Sequence, residues 1–297
     1  MGQPLDHRLA IKRAHWQPRT NVAEAIRGKH VQSRTHVGHA NRENAQKEHI
    51  YICSYNPQSI SDSNQQDRDI MMQELEGMKW DIVGLPASQI KESGIEVLPQ
   101  GHYLFTSGND TSRTNGVSLL VHKRIIPAVC DFKALSDRLA SLTIQGEENK
   151  IVLIVAYFPT CSHSDEDVNE LYNKIQATVD KIPQRDFVFL LGDFNARVGN
   201  LCSLYPNCIG RNTVGNSNDR GEQLAQFCSA NNLYITNTFF EKRRIHTWNH
   251  PNGRNFAQID FIITRSKHAT NVCDSEVLNC PSISDHRMVR VKALIKT

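Results

Sequence analysis

Phe187-Val188-Phe189-Leu190-Leu191-Gly192-Asp193-Phe194-Asn195-Ala196 is the stretch on which the reading of this chain turns. Five consecutive apolar residues have the length of a buried strand and are far too few to span a bilayer. The run delivers an Asp and an Asn, two positions apart, to a strand end. Gly192 is expected to let the backbone come close to a ligand there. Side chains alternate along a strand, so Asp193 and Asn195 would share a side if the strand continued.

Outward from this stretch the pattern stays regular. Ile151–Tyr157 is fully apolar and reads as a central strand. Val168, Leu171, Tyr172, Ile175, Val179 and Ile182 recur at helical spacing, and Pro183 ends that helix because it lacks a donor and its ring clashes with the preceding turn. Strands are predicted over Ile50–Tyr55, Asp81–Leu85, His102–Thr106, Val117–His122 and Arg138–Ile144, and a helix carries Met71, Leu75 and Met78. Asp219-x-x-Glu222 predicts a capping box that opens a helix burying Leu224, Phe227 and Cys228. Strands over Ile259–Thr264 and Met288–Ile295 complete the pattern. Helices and strands mix without strict alternation. This predicts an α/β four-layer sandwich, with two packed mixed β-sheets flanked by helices, over one doubly wound sheet.

The 297 residues carry a net charge of +3, unevenly spread. Residues 1–48 hold nine Lys and Arg against four Asp and Glu, whereas 49–297 hold 25 and 27. The first segment lacks periodicity and is expected to be a basic, disordered tail with at most a short helix near Val22–Ile26; 49–297 is the folded domain. A basic tail on a near-neutral body suits nucleic acid. The eight cysteines form no CxxC pair, so free thiols in a reducing compartment are expected rather than a disulfide framework. No secretory signal is visible in the tail, and a nuclear or cytoplasmic location without membrane contact is expected.

An ionised Asp193 can take a proton from an attacking water or bind a hard cation, and Asn195 can hold that water or a phosphate oxygen. Ser284-Asp285-His286 precedes another apolar strand, and His286 is suited to donate a hydrogen bond or proton to a phosphate. Asp260, also at a strand end, is the candidate carboxylate to fix its tautomer and raise its pKa. Tyr157 ends the central strand, and Asn56 follows the first. Each residue alone has an ordinary explanation as a turn former or a core side chain. Their recurrence at strand ends carries the argument.

Together these segments resemble the endonuclease/exonuclease/phosphatase superfamily over about Ile50 to Ile295. The narrower likeness is to the endonuclease domain of non-LTR (LINE-type) retrotransposons and to craniofacial development protein 2-like host proteins. It rests on Gly192-Asp193-Phe194-Asn195-Ala196-Arg197-Val198-Gly199, Asn231-Asn232-Leu233, Thr236-Asn237-Thr238-Phe239-Phe240, Thr247-Trp248, Pro251-Asn252-Gly253-Arg254, Gln258-Ile259-Asp260 and Ser284-Asp285-His286-Arg287, in that order. The resemblance implies DNA as partner and Mg²⁺, or Mn²⁺ in its place, at one sheet edge, with no small-molecule cofactor. It implies that Asp193 orients or deprotonates water, Asn195 supports it, and His286 with Asp260 binds the scissile phosphate. Asn56 and Tyr157 would line the phosphate and leaving-group side, and Asp285 would touch the metal.

One position departs from the resemblance. Ala87 stands where the family has a metal-binding Glu, and two residues after Asn56 comes Gln58, where some members have an acid. Glu92 is too far along the chain to substitute. The expectation is a DNA endonuclease of retrotransposon origin, weakened at the metal, or a binding module that keeps the fold. The chain stops soon after the Asp285 strand, where a full retrotransposon protein continues into a reverse transcriptase, so an isolated endonuclease domain is expected. A branch acting on abasic DNA, poly(A) or lipid phosphates is disfavoured by the Thr247-Trp248 to Asp260 block.

Overall fold

The computed structural model describes residues 14–15, 49–109, 115–160 and 162–295. Its strands, in chain order, are β1 (Ala14–His15), β2 (His49–Ser54), β3 (Ile82–Leu85), β4 (Gly94–Val97), β5 (Tyr103–Ser107), β6 (Val117–Val121), β7 (Val129–Ser136) and β8 (Leu139–Gln145). There follow β9 (Lys150–Tyr157), β10 (Phe187–Asp193), β11 (Leu233–Ile235), β12 (Trp248–Asn249), β13 (Phe256–Ala257), β14 (Asp260–Arg265), β15 (Val272–Leu278) and β16 (Met288–Leu294). The α-helices are α1 (Gln65–Glu76), α2 (Asp165–Val179) and α3 (Asp219–Ala230).

Two mixed sheets result, in the orders β1-β4-β5-β6-β3-β2-β16-β15 and β11-β14-β10-β9-β8-β7, with β12 and β13 as a separate hairpin. Parallel pairs β2/β3 and β9/β10 lie at their centres. Strand alternation explains the layers. Phe189 and Leu191 of β10, with Leu153 and Val155 of β9, pack against Ile52, Ile82 and Leu119 of the other sheet. Val188 and Leu190 face the opposite way, onto Val168, Leu171 and Ile175 of α2 and Leu224 of α3. Met71, Met72 and Leu75 of α1 cover Cys53, Val83 and Leu120 on the far side of the first sheet. The expected four-layer sandwich is observed.

Two glycines set close approaches. A Cβ on Gly84 would lie 2.9 Å from Leu191 Cδ1 in the facing sheet. A Cβ on Gly192 would lie 2.1 Å from the Ala156 carbonyl oxygen. Gly192 therefore serves the close contact between β10 and β9.

Helix ends show what fixes the frame. Ser164 caps α2 by accepting the Asp167 N–H, and three acids in the first turn suit the positive end of the helix. Its C-terminal end is held by Arg265, 4% exposed, whose guanidinium donates to the carbonyls of Val179, Ile182, Pro183 and Asp186 at 2.8–3.4 Å. In α3 the cap is Asn218, whose side chain accepts the Gly221 N–H at 2.9 Å, so Asp219 is the first helical residue and not the predicted cap. Asn218 Oδ1 also accepts the Arg197 N–H at 2.9 Å, tying the chain after Asn195 to this helix.

The predicted strands all occur with ends shifted slightly, but β4, β7, β11 to β13 and β15 were not foreseen. Of the expected tail, Ala14–His15 pairs antiparallel with Gly94 and Ile95, and the helix near Val22–Ile26 lies outside the described residues. The described cysteines are free, and no described helix is long and apolar enough to cross a membrane.

Candidate active site

Strand register brings the predicted residues together. Asp193, the last residue of β10, pairs with Tyr157 on β9 and with Asp260 on β14. Three neighbouring strands thus end in a Tyr, an Asp and an Asp side by side. The first sheet supplies the rest: Asn56 just beyond β2, and Asp285 and His286 just before β16.

Asp193, 2% exposed, accepts from Asn56 Nδ2 at 2.9 Å and from the Asn195 backbone N–H at 3.0 Å. Burial and the charge of Asp260 raise its pKa to about 6, although His286 and the two donors pull it down. Asn195 departs from the expected geometry. The strand stops at Asp193, Asn195 turns at φ +48°, and its side-chain amide donates to the Phe158 carbonyl at 2.9 Å. Asn tolerates this left-handed backbone, and it reaches Asp193 through its main chain rather than as a parallel side chain.

His286 is 6% exposed, with Nδ1 at 2.9 and 3.2 Å from the two oxygens of Asp260. Burial opposes the imidazolium, but the charge and hydrogen bond of Asp260, then Asp193 and Asp285, outweigh it and raise its pKa to about 9. This raised pKa favours the imidazolium at neutral pH, with Nδ1–H donating to Asp260. Its Nε2 lies 3.9 Å from Asp193 Oδ2 and 3.8 Å from Asp285 Oδ1, beyond hydrogen-bond range. Tyr157 is also in place: burial and then the charge of Asp193 raise its pKa, and Arg138 stacks over its ring at 5.1 Å.

Several supporting residues carried no predicted role. Fully buried Thr247 accepts the N–H groups of both Ile259 and Asp260 through its hydroxyl at 3.0 Å. Asn237 donates to the Asp260 carbonyl at 3.2 Å. A bridge between Trp248 and His286 and an Arg287 N–H to Thr247 carbonyl bond hold the Ser284-Asp285-His286 segment alongside. The Thr-Trp and Ser-Asp-His motifs are far apart in sequence, and only their pairing reveals the joint role. Replacing Thr247 with Val should cost about 1–3 kcal/mol, because two buried donors lose their acceptor. The denaturation midpoint should fall, and an NMR titration should show a lower pKa for His286 as Asp260 loses its fixed position.

A metal is the remaining question. The superfamily is generally dependent on a divalent metal. Asp193, Asp260 and His286 offer ligand atoms within 4.8 Å of one another, a spacing that a metal could use. Asp260 takes the Nδ1 side of His286, which leaves Nε2 as the imidazole atom available to that cluster. The expected ligand, Asp285, accepts from Gln58 Nε2 at 2.6 Å and from Trp248 Nε1 at 3.0 Å, so each of its oxygens already faces an N–H. Ala87, 4% exposed at φ +54°, brings no ligand atom. Ala87 and the engaged Asp285 leave this edge short of the carboxylate ligands that the resemblance implies for a hard cation, while Asp193, Asp260 and His286 form a candidate metal cluster.

Known proteins bear on this geometry. Residues 151–290 match a family model described as "Endonuclease-reverse transcriptase". Craniofacial development protein 2 from Bos taurus is 34% identical over 256 residues, 84% of this chain and 42% of that protein. The homologous protein from Tragulus javanicus is 33% identical over 84% of this chain and 43% of its own length. The chain therefore spans less than half the length of these relatives. Among solved structures, the endonuclease domain of TRAS1, a telomere-specific non-LTR retrotransposon, superimposes with a TM-score of 0.60 at 15% identity, covering 84% of this chain and 100% of that one. The catalytic domain of APE2 from Xenopus laevis gives 0.63 at 14% identity, covering 84% and 94%.

Proposed function

Because this chain belongs to the endonuclease/exonuclease/phosphatase superfamily, we propose that it is a DNA phosphodiesterase of non-LTR retrotransposon ancestry whose strand nicking is weakened. The observation that carries this is the intact pair of contacts Asn56–Asp193 and Asp260–His286 at one sandwich edge. Cationic His286 offers Nε2–H to a phosphate oxygen. Asp193, with its pKa raised but still ionised at neutral pH, is a stronger base toward water than an ordinary Asp. Tyr157, whose raised pKa keeps its hydroxyl protonated, would donate toward the departing oxygen.

In the superfamily a divalent cation adds positive charge at the phosphate. Here Ala87 and the engaged Asp285 leave that contribution short of its expected carboxylate ligands, and so the rate is low. A supercoiled-plasmid assay tests the reading, with slow nicking expected for wild type and about a hundredfold less for Asp193→Ala. DNA affinity should fall with salt, because Lys and Arg contacts to phosphate release counterions. The second reading, a binding module, is favoured by the Gln58–Asp285 contact. It prevails if wild type binds DNA, shows no nicking, and is unchanged by Asp193→Ala.

A further inference from the structure

Gln58 occupies a position with an unusual consequence for the neighbouring carboxylate. It lies two residues beyond Asn56 with φ +60°, and its backbone N–H donates to Asn56 Oδ1 at 2.8 Å. That local turn sends its side chain to Asp285, where Nε2 and Oδ1 are 2.6 Å apart. The orientation of the amide is fixed by charge: its oxygen would repel the carboxylate, and its NH₂ is attracted. The other Asp285 oxygen is met by the Trp248 indole N–H at 3.0 Å, which can only donate. A carboxylate ringed by two neutral donors is satisfied without a cation.

We propose that Gln58, with Trp248, replaces the divalent cation at Asp285 by an internal amide, making this edge of the site independent of metal. The Gln58 donors compensate the Asp285 charge in place, at the expense of cation affinity. Three facts combine: the donor at Gln58, the indole donor on the second oxygen, and the methyl group of Ala87 where a ligand would stand. The proposal concerns metal binding itself and rests on the proposed function only in taking this edge to face a phosphate. Absence of nicking would overturn that function and leave the proposal standing.

Metal binding is read directly, by Mn²⁺ titration calorimetry and by thermal denaturation with and without millimolar Mg²⁺. Wild type should show no cation-dependent rise in Tm. Gln58→Glu removes the donor and sets a second carboxylate beside Asp285. Because the Gln58 side chain is exposed, the change leaves the core untouched. This variant should bind Mn²⁺ at least about tenfold more tightly than wild type, since affinity follows the count of charged ligands. Its Tm should be lower without cation and recover with it. Gln58→Ala, which removes the donor without adding charge, should bind more weakly than Gln58→Glu and serves as the folding control. A rise in wild-type Tm with Mg²⁺ that Asp285→Asn removes would overturn the proposal. So would an unchanged Gln58→Glu, because Gln58 would then not be what excludes the cation.

Discussion

Arg265→Ala should lower stability by about 3–5 kcal/mol, with Tm falling on the order of 10 °C. Arg265 is 4% exposed, and its four hydrogen bonds gather the last carbonyls of α2 and the turn after it onto the end of β14. Helix ends leave carbonyls without intrahelical partners, and a buried cation there answers both the hydrogen-bond need and the negative end of the helix. Alanine strands these carbonyls in an apolar setting. Arg265→Lys should recover only part of the loss, because an ammonium cannot reproduce the planar fork that serves several acceptors at once. Chemical denaturation checks both variants, and a loss below 1 kcal/mol for Arg265→Ala would show that water replaces the guanidinium.

The second large effect is expected at His286. His286→Ala should reduce nicking by a factor of about 10²–10⁴, because a buried cationic donor proposed to meet the phosphate disappears. It also leaves Asp193 and Asp260 buried at the same register without their shared counter-charge. Their mutual repulsion should push the pKa of Asp193 further up and weaken it as an ionised base near neutral pH. His286→Gln keeps a donor without the charge, so it should retain DNA binding better than it retains rate. The pH profile separates charge from shape. The folded pKa is raised from 6.5 to about 9, so the stabilising contribution is fully present below 6.5 and is lost as pH rises through 9. Wild-type stability should therefore decline over that alkaline window more steeply than that of His286→Gln. Parallel declines would remove His286 from the account.

The central elements were legible because their side chains report their surroundings directly. Phe187–Leu191 lies between two strands and two layers, so every position is apolar. β15 was missed because only alternate residues face inward, while Asp274 and Glu276 point out to pair with Lys242 and Arg290. Such a strand is half polar and reads as a loop. β4 is the same case near a sheet edge, with no fully buried residue. In the site, the motif residues Asp193, Asp260, Asp285 and His286 were readable from their positions at strand ends. The environment of Asp285 was not. It depends on left-handed backbone at Gln58 and on an indole from a separate hairpin, and neither leaves a spacing rule in the sequence. The geometry of Asn195 was hidden for the same reason. A turn begins one residue after Asp193, and periodicity cannot show where a strand ends.

The contacts that define the site are stitches across the seam of the sandwich. Asn56 and His286 flank strands of one sheet, and Asp193 and Asp260 lie on strands of the other. Asn56–Asp193 and Asp260–His286 therefore hold only while the sheets keep their spacing, a gap set in the interior by Gly84 against Leu191. The chemistry is thus a gauge of sheet separation. A slightly enlarged side chain deep in the core would open both stitches together and silence the site while the protein remained folded. For this chain, a silent site is no proof that a site residue has changed.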